Sequence, residues 1–532
     1  MDFLDKNRFV YETLYETFFK SYSDNSADNN LSKISFLASF AWFAHPGLFV
    51  DIRLENLCSK IGKTIWDKSR LEGVAAVKNN KCKVLHVASE TYNTGGHTRL
   101  LFNIIRNDTQ SIHYLFVTQQ EAAEVPGWLS EQIFLSGGAI VSVAKFSPEK
   151  QVRLLQKEIA SDTFEKLFYH IHPDDAVAVS ALSATPRPAS LVINHADHVF
   201  WLGSALADVT VCYRSWSLNF SEQYRASKQV ALLPTPIGAL NRENIKTSFA
   251  VKQNAKKTLG IADDVIVILT VASSGKFIPS GKYNYFATID KLLVNNPNVL
   301  LKIAGVALSD DLEKLQYKFN NQVELLGVIN EPKIYYEAAD IYLDSMPFSS
   351  FTSLFEAVFF GCYPVLQFSP VDTLTIENEP CFKGIIYHAK NEDEQISVLQ
   401  YAIDNPEYRR EIGLKCAQLV FDNYVGIGWL KQLNSIYNLV PNKVQNVRDL
   451  SQVHNCSSTT DNNKDAANLA YHQHGNAAII LNRTFHRYLS NVTAFEIFKI
   501  YYKLLKGKNK FGELFSLRQM LYFLKQKMLK NV

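Results

Sequence analysis

The hydrophobic and polar positions of this chain change their period along its length, and the changes divide it into segments. Residues 1–80 place apolar side chains at helical spacing, as in FVYETLYETFF, which predicts an N-terminal helical module. From residue 81, short β-branched runs alternate with helical stretches, the runs being KVLHVASE, IHYLFVTQ, IVSVAKF, KLFYHIHP, LVINHADH and DVTVCYRS. Strands separated by helices are typical of a parallel, doubly wound sheet. Residues 81–240 therefore predict a first Rossmann-like domain.

The same alternation starts again in the second half of the chain. Residues 241–440 contain the apolar run VIVILTV, a loop, a helix and further strands, which predicts a second Rossmann-like domain. Residues 441–476 are polar and poorly patterned, as linkers are. Residues 477–532 mix aromatic and basic residues at helical periods, which predicts a basic helical tail. The predicted fold class is α/β, with two Rossmann-like domains, an N-terminal helical module and a C-terminal helical tail.

One stretch of the second domain predicts a phosphate-binding site. The segment AADIYLDSMPFSSFTSLFEAVFFGCYPVL contains a strand, a hydroxyl-rich loop, a helix and a further strand. The loop leads into a helix N-terminus, where unpaired N–H groups and the helix dipole favour phosphate, and Thr352 and Ser353 lie there. Glu356, one turn further on, is placed to accept hydrogen bonds from ribose hydroxyls. Phosphate and ribose together indicate a nucleotide.

A structural interpretation of the same residues has about equal weight on spacing alone. Thr352 and Ser353 can cap the helix, and Glu356 can complement its dipole as in a capping box.

Two further loops follow predicted strands. In the first domain, TYNTGGHTR follows the first strand, and Gly95 and Gly96 would let the backbone approach a ligand closely, although a Gly-Gly pair can also be only a tight turn. In the second domain, Ser274 and Lys276 follow the first strand. A lysine there can neutralise a diphosphate leaving group, because that role requires a point charge rather than a planar fork.

These motifs resemble those of the GT-B glycosyltransferases, particularly the O-GlcNAc-transferase-like and bacterial cytosolic branch. The resemblance rests on Asp344-Ser-Met-Pro-Phe348, the following Ser/Thr turn and acid, and the K-x-x-P spacing of Lys276 and Pro279. It implies that Thr352, Ser353 and Lys276 bind the diphosphate and Glu356 the ribose of a nucleotide sugar, which is a substrate and not a cofactor. Phe348 stands where many retaining members have a glutamate, which favours inversion.

Sugar transfer also requires a group that activates the acceptor, usually a carboxylate or a histidine. Candidates in the first domain are His195 and Asp197 after the strand LVIN, then His97 in the glycine loop. His172 and Asp174 follow another strand, and any of these residues can instead have a structural role. No acidic pair lies in a suitable loop, and no metal is predicted.

Composition and charge restrict where the protein acts. Of 532 residues, 47% are hydrophobic and 20% charged, and the seven cysteines form no C-x-x-C pair, which favours a reducing, cytoplasmic setting. The N-terminus does not resemble a signal peptide, and no apolar run is long enough to span a bilayer. Residues 482–532 hold eleven basic and two acidic residues. Such a tail either lies on an anionic membrane or caps the protein; no nucleic-acid partner is predicted.

Three functions remain open from the sequence. The first is a glycosyltransferase that moves a sugar from a nucleotide-diphosphate donor to a glycan, lipid-linked glycan, glycolipid or protein, in cell-surface polysaccharide biosynthesis and at the inner face of the membrane. The second is a nucleotide-sugar epimerase, since Rossmann-like domains host that reaction too. The third is a non-catalytic, membrane-docked scaffold.

Overall fold

The chain divides into two compact units. The structure is a computed structural model that describes residues 3–20, 26–69, 81–93, 96–161, 163–237, 249–277, 284–329, 331–368, 379–454 and 461–530. Unit 1 comprises Met1–Tyr213, Ser217–Leu232 and Ser435–Val532, and unit 2 comprises Arg214–Trp216 and Leu233–Asn434.

Unit 1 is built on a parallel sheet of seven strands. The strands are β1 (Lys83–Ala88), β2 (Ile112–Val117), β3 (Ile140–Ser142), β4 (Lys166–His170), β5 (Ser190–Ile193), β6 (Val209–Cys212) and β7 (Val230–Leu232). Their order in the sheet is β3-β2-β1-β4-β5-β6-β7, and every pairing is parallel. The order reverses between β1 and β4, and this switch point is where doubly wound sheets bind ligands at the carboxyl ends of their strands.

Within the described ranges, eight helices belong to the first part of unit 1. They are α1 (Phe3–Phe19), α2 (Ala27–Phe43), α3 (Ile52–Ser69), α4 (Gly96–Asn107), α5 (Gly127–Leu135), α6 (Pro148–Ile159), α7 (Ala176–Ala181) and α8 (Ser215–Tyr224), the last of which starts at the boundary with unit 2. The two sides of the sheet have separate cores. Leu85, Val87 and Tyr169 belong to a large core with α1, α2, α3, α6 and α7. Ala88, Leu115 and Val117 belong to a smaller one with α4 and α5.

Unit 2 is built on a parallel sheet of five strands in the order β10-β9-β8-β11-β12. The strands are β8 (Ile266–Val271), β9 (Val299–Ala304), β10 (Val323–Gly327), β11 (Ile341–Leu343) and β12 (Tyr363–Val365). The helices are α9 (Phe249–Thr258), α10 (Tyr285–Val294), α11 (Asp310–Lys318), α12 (Lys333–Ala338), α13 (Phe351–Phe359), α14 (Glu392–Asp404), α15 (Pro406–Tyr424) and α16 (Gly426–Leu439). The switch point of this sheet lies between β8 and β11.

The C-terminal segment packs into unit 1. Its helices are α17 (Asp461–His474), α18 (Ala477–Tyr488), α19 (Ala494–Lys506), α20 (Lys508–Phe511) and α21 (Leu517–Lys530). The interpretation of 441–476 as a linker therefore fails for α17, on which Tyr471 stacks against Phe3 with ring centroids 3.8 Å apart. The buried residues Ile480, Phe485 and Ile500 belong to the large core of unit 1. One face of the tail thus caps the protein, because its apolar residues complete a core that α1 and α2 leave incomplete.

The N-terminal helices also belong to unit 1 rather than to a module of their own. Tyr11 and Phe36 are fully buried in the large core. Ion pairs join these helices to the tail: Lys33 lies 2.7 Å from Glu496, and Lys503 lies 2.7 Å from Glu16. None of the helices in the described ranges is long and apolar enough to cross a bilayer.

Candidate active site

The switch point of unit 2 brings together the two motifs that the sequence singles out. The loop after β8 contains Ser274 and Lys276, and the loop after β11 leads into α13. Because β8 and β11 are hydrogen-bonded neighbours, both loops leave the same edge of the sheet side by side. The Lys276 ammonium donates to the carbonyl oxygen of Ser349, 2.9 Å away, and so joins one loop to the other.

Lys276 has an environment suited to an anion. The pKa of its ammonium is lowered to about 8, mainly by burial; the Asp344 carboxylate opposes the shift, and the Arg214 guanidinium adds to it. A half-buried lysine whose charge is incompletely compensated gains free energy when a diphosphate binds beside it.

The loop before α13 is held by a buried carboxylate. Asp344 Oδ1 accepts from the backbone N–H groups of Ser345 at 3.0 Å and Ser350 at 2.9 Å. The Ser350 hydroxyl lies 2.6 Å from that of Tyr342, a fully buried residue of β11. These bonds fix the loop, and with it the direction of the first turn of α13. Burial raises the pKa of Asp344, and the hydrogen bonds it accepts oppose the shift.

Thr352, Ser353 and Glu356 lie on the first turns of α13 and are half-buried. Ser350 is the N-cap residue of α13, and its side chain makes no capping hydrogen bond to the helix. The first N–H groups of a helix have no intrahelical acceptor, and helix N-termini of this kind favour anions. Glu356 accepts from the Tyr336 hydroxyl, 3.1 Å away.

Arg214 is a residue of this site that the sequence analysis missed. Its guanidinium lies over the Phe351 ring, 5.2 Å from the centroid, and it acts electrostatically on Lys276. Arg214 follows β6 and lies in the short stretch Arg214–Trp216, which is separated in sequence from the rest of unit 2, so no local motif contains it. Two cations therefore flank the N-terminus of α13.

The structure also shows the surroundings of two other residues that the sequence predicts as ligand contacts, Ser274 and Gly96. The Ser274 hydroxyl accepts from the Ala307 N–H at 2.8 Å, so it tethers the neighbouring loop. A Cβ added at Gly96, the first residue of α4, would meet no atom within 4 Å. Gly95 and Pro279 lie outside the described residues.

The switch point of unit 1 gathers histidines. His97 lies on the first turn of α4, and its Nε2 lies 3.1 Å from the carbonyl oxygen of His170, the last residue of β4. The His195 ring follows β5, with its centroid 4.0 Å from that of His97, and the His172 centroid lies 5.9 Å from that of His97. Burial lowers the pKa of His97 to about 3 and that of His195 well below its usual value. Burial thus favours the neutral form of the His97 and His195 rings.

The carboxylates of unit 1 are engaged in hydrogen bonds. Asp197 Oδ1 accepts from the Asn194 amide at 2.8 Å and the Ser217 hydroxyl at 2.5 Å. Asp174 Oδ2 accepts from the Tyr488 hydroxyl at 3.0 Å, so a tail helix contributes to this edge of the sheet. In the described ranges, no group of three or more His, Cys, Asp or Glu side chains is placed to hold a metal ion.

A cavity of about 430 Å³ in unit 2 lies elsewhere. It is lined by Lys252, Lys256, Asp340 and Arg409, at the amino ends of β8 and β11. Both lysines pair with Asp340, at 3.1 and 2.8 Å. The cavity therefore lies at the edge opposite to the switch-point loops, and its charges already compensate one another.

The two switch-point sheets give the chain the fold of the GT-B glycosyltransferases, which consists of two Rossmann-like domains. Solved structures with this fold include Anabaena HepE in complex with UDP, at 13% identity and a TM-score of 0.52, covering 67% of this chain and 100% of that one. A glycosyltransferase from Rickettsia africae matches at 12% identity and a TM-score of 0.52, covering 68% and 99%. TarM from S. aureus matches at 9% identity and a TM-score of 0.50, covering 67% and 100%. No protein-family model and no curated protein matches the sequence. The predicted fold class is confirmed.

Proposed function

We propose that the protein is a glycosyltransferase that takes a sugar from a nucleoside-diphosphate donor and transfers it to a glycan, a glycolipid or a protein. The observation that carries the proposal is the pairing of Lys276 with the Ser349 carbonyl at the N-terminus of α13. This arrangement provides a cation, helix N–H groups and the nearby carboxylate of Glu356 at one switch point, which matches a diphosphate followed by a ribose. HepE, which has the same fold, is known in complexes with UDP and with UDP-glucose.

The residues of unit 2 would act on the leaving group. As the bond between the sugar and the diphosphate breaks, negative charge grows on the diphosphate, and Lys276, Arg214 and the first turn of α13 would stabilise it. Thr352 and Ser353 would donate to the phosphate oxygens, and Glu356 would accept from the ribose hydroxyls. Asp344 is a positioning residue, since it holds the loop through the Ser350 N–H.

Unit 1 would bind the acceptor, and His195, Asp197 and His97 remain the candidates for its activation. His195 Nε2 is buried and has no hydrogen-bond partner in the described part of the chain, whereas Asp197 Oδ1 has two donors. A neutral imidazole with an uncommitted nitrogen can accept a proton. We therefore place His195 and His97 ahead of Asp197. We propose no metal and no cofactor.

Donor hydrolysis and nucleotide binding test the site in unit 2. Lys276→Ala is expected to lower the turnover of a nucleotide sugar about 100-fold, because it removes a charge that stabilises the leaving group. Glu356→Ala is expected to weaken the binding of UDP about 10-fold but that of 2′-deoxy-UDP much less. Lys257→Ala and Glu313→Ala, at exposed positions of α9 and α11, serve as matched controls.

Two outcomes would refute the assignment. Turnover like that of the unmodified protein in both Lys276→Ala and Glu356→Ala would remove these residues from the site. An epimerised nucleotide sugar, formed from the donor alone, would favour the epimerase.

We also propose that the tail docks the protein on an anionic membrane, in line with a role in cell-surface polysaccharide biosynthesis at its inner face. On α19 the side chains of Phe495, Phe498, Tyr502 and Leu505 are 72, 52, 52 and 45% exposed, at spacings that place them along one side of the helix. Exposed basic residues accompany them on the last three helices, namely Lys506, Lys508, Lys510, Arg518 and Lys525. Apolar rings flanked by lysines suit the boundary between acidic headgroups and acyl chains.

Sedimentation with lipid vesicles tests the docking. The protein is expected to bind vesicles that contain phosphatidylglycerol and not vesicles of phosphatidylcholine, with the binding lost at high salt. Phe498→Asp should abolish binding, and Tyr317→Asp on α11 of unit 2, where the tyrosine is 89% exposed, should not. Equal binding to both vesicle types, or none to either, would contradict the proposal.

A further inference from the structure

A row of three buried histidines runs across the sheet of unit 1 beneath its switch point. His86 is on β1, His113 on β2 and His170 on β4, and all three are fully buried. His86 Nε2 lies 3.0 Å from His113 Nδ1, and His86 Nδ1 lies 3.2 Å from His170 Nε2. At its far end, His113 Nε2 lies 2.9 Å from the carbonyl oxygen of Asp108. The row thus begins at a backbone carbonyl and ends at the carboxyl edge of the sheet.

The carbonyl fixes the position of every proton in the row. A carbonyl oxygen only accepts, so His113 Nε2 carries the proton, and in a neutral ring its Nδ1 is then bare. His86 Nε2 must therefore donate to His113, which leaves His86 Nδ1 bare and makes His170 Nε2 the donor to it. It follows that His170 Nδ1 is bare. Burial lowers the pKa of all three rings, which keeps them neutral.

His97 also has an unprotonated Nδ1, for a different reason. Its Nε2 donates to the His170 carbonyl oxygen at 3.1 Å, so its Nδ1 is bare as well. Both Nδ1 atoms are buried and have no hydrogen-bond partner in the part of the chain that the structure describes. Two buried acceptors without a donor are costly, and a ligand that donates to them recovers that free energy.

Aromatic rings lie beside the His97 ring. His172, with its ring 5.9 Å from that of His97, is parallel to Tyr92 within 9° at a centroid distance of 6.0 Å. The Trp42 ring of α2 lies 5.7 Å from that of His172, and Tyr92 is 44% exposed. Flat aromatic faces beside hydrogen-bond acceptors match a molecule with apolar C–H faces and hydroxyl donors. An ionised carboxylate or a fully ionised phosphate has no proton to donate.

We propose that His97 Nδ1 and His170 Nδ1 form a carbohydrate subsite in unit 1 that accepts hydrogen bonds from sugar hydroxyls, and that the histidine row keeps His170 in the accepting tautomer. The subsite rests on the proposed transfer reaction and narrows its acceptor to a carbohydrate. His86 and His113 are positioning residues, since they act through His170. No proton leaves the row, because its only task is to hold one tautomer.

Nitrogen NMR of the full-length protein, labelled with ¹⁵N-histidine, tests the tautomers directly. His97 and His170 are expected to carry their proton on Nε2 and to show a bare Nδ1 at neutral pH. Each ring is assigned by comparison with its own histidine-to-glutamine variant. A proton on Nδ1 of either ring, or on both nitrogens, would overturn the proposal without any measurement of activity.

Neutral methyl glycosides of glucose, galactose and N-acetylglucosamine are the probes for the ligand. At least one is expected to shift both Nδ1 resonances, whereas UDP alone should leave them unchanged. The variant His86→Leu interrupts the row and should weaken glycoside binding about 10-fold, while His486→Leu, at an exposed position of α18, should not. If no glycoside shifts either resonance, or UDP shifts them equally, the subsite is wrong.

These results are separable from the test of the proposed function. Glycoside shifts combined with normal donor turnover in Lys276→Ala would leave the subsite standing and remove the donor site. If no glycoside shifts the resonances but Lys276→Ala loses donor turnover, the proposed transferase stands and the subsite is wrong.

Discussion

Lys276 is the residue whose ionisation should be visible in the function of the protein. Burial lowers the pKa of its ammonium to about 8, so the charge is present below that pH and lost as the pH rises through it. A bound diphosphate stabilises the charged form and raises this pKa. UDP affinity is therefore expected to be constant from about pH 7 to just below pH 8 and to fall above it. Calorimetric titration of UDP across this range is the measurement.

Lys276→Arg is the control for this pH dependence. A guanidinium stays charged throughout the range, so the decline in UDP affinity above pH 8 should disappear in this variant, even if its fork fits the loop less well. A decline that persists unchanged in Lys276→Arg would assign the titration to another group.

At the residue scale, sequence reasoning identifies candidate groups that occur in short motifs. Thr352, Ser353, Glu356 and Lys276 were predicted because they follow strands at recognisable spacings, and the structure places all four around one switch point of unit 2. Arg214 was missed because it is far in sequence from Phe351, which it contacts only in the folded chain.

The hydrogen-bonding partners of individual side chains also cannot be predicted from the sequence. The Ser274 hydroxyl accepts a hydrogen bond from the Ala307 N–H. The buried Asp344 accepts one from the Ser350 N–H and so orders the loop before α13. A serine or an aspartate in a loop has many partners within reach, and only the folded backbone selects among them.

At the element scale, the tail shows where periodicity stops being informative. An amphipathic helix that caps a protein and one that lies on a membrane have the same pattern, so the sequence left both open. The structure shows that one face is a cap, since Phe485, Leu504 and Phe523 are buried. It also shows that Phe495 and Phe498 of the other face are exposed. One face of the segment is thus the cap, and the exposed face is the one on which the proposed membrane docking depends.

A pair of phenylalanine variants separates these faces. Phe485 is fully buried, and its ring centroid lies 5.1 Å from each of those of Phe36, Phe515 and Phe523. Phe485→Ala is expected to destabilise unit 1 by about 3–5 kcal/mol, through lost burial and the cavity it leaves. Phe495→Ala should leave stability unchanged and weaken vesicle binding. Urea unfolding followed by circular dichroism, together with vesicle sedimentation, distinguishes the two effects.

The reverse pattern would contradict this division of the tail. Unchanged stability in Phe485→Ala would mean that the tail helices do not complete the core in solution. A loss of stability in Phe495→Ala would mean that the outer face of α19 packs on the protein.

At the scale of the whole molecule, the alternation of strands and helices was sufficient to predict two parallel sheets. It could not predict that the two ends of the chain join one unit, because that depends on contacts between residues far apart in sequence. Lys33 pairs with Glu496 and Glu16 with Lys503, and no local pattern records such partners. The segments at 1–80 and 477–532 therefore looked like separate pieces.

The division into two units predicts where a nucleotide should protect the chain. Hydrogen exchange is slowed where a ligand stabilises the folded state, and the proposed donor residues all belong to unit 2. UDP is expected to slow exchange in the loop at 273–277 and in the first turns of α13, through the ligand's contacts with Lys276 and the helix N–H groups. The tail helices and the sheet of unit 1 should exchange at unchanged rates. Mass spectrometry of peptic peptides, with and without UDP, gives this map.

Lys276→Ala provides the control for the exchange map, and Lys257→Ala its matched partner. Protection at 273–277 and in α13 should be lost together in the first variant, because one ligand group bridges both loops, and kept in the second. Protection confined to the cavity lined by Lys252, Asp340 and Arg409 would instead place the nucleotide at the opposite edge of the sheet. That result would refute the donor site while leaving the fold as described, since the two edges belong to the same five strands.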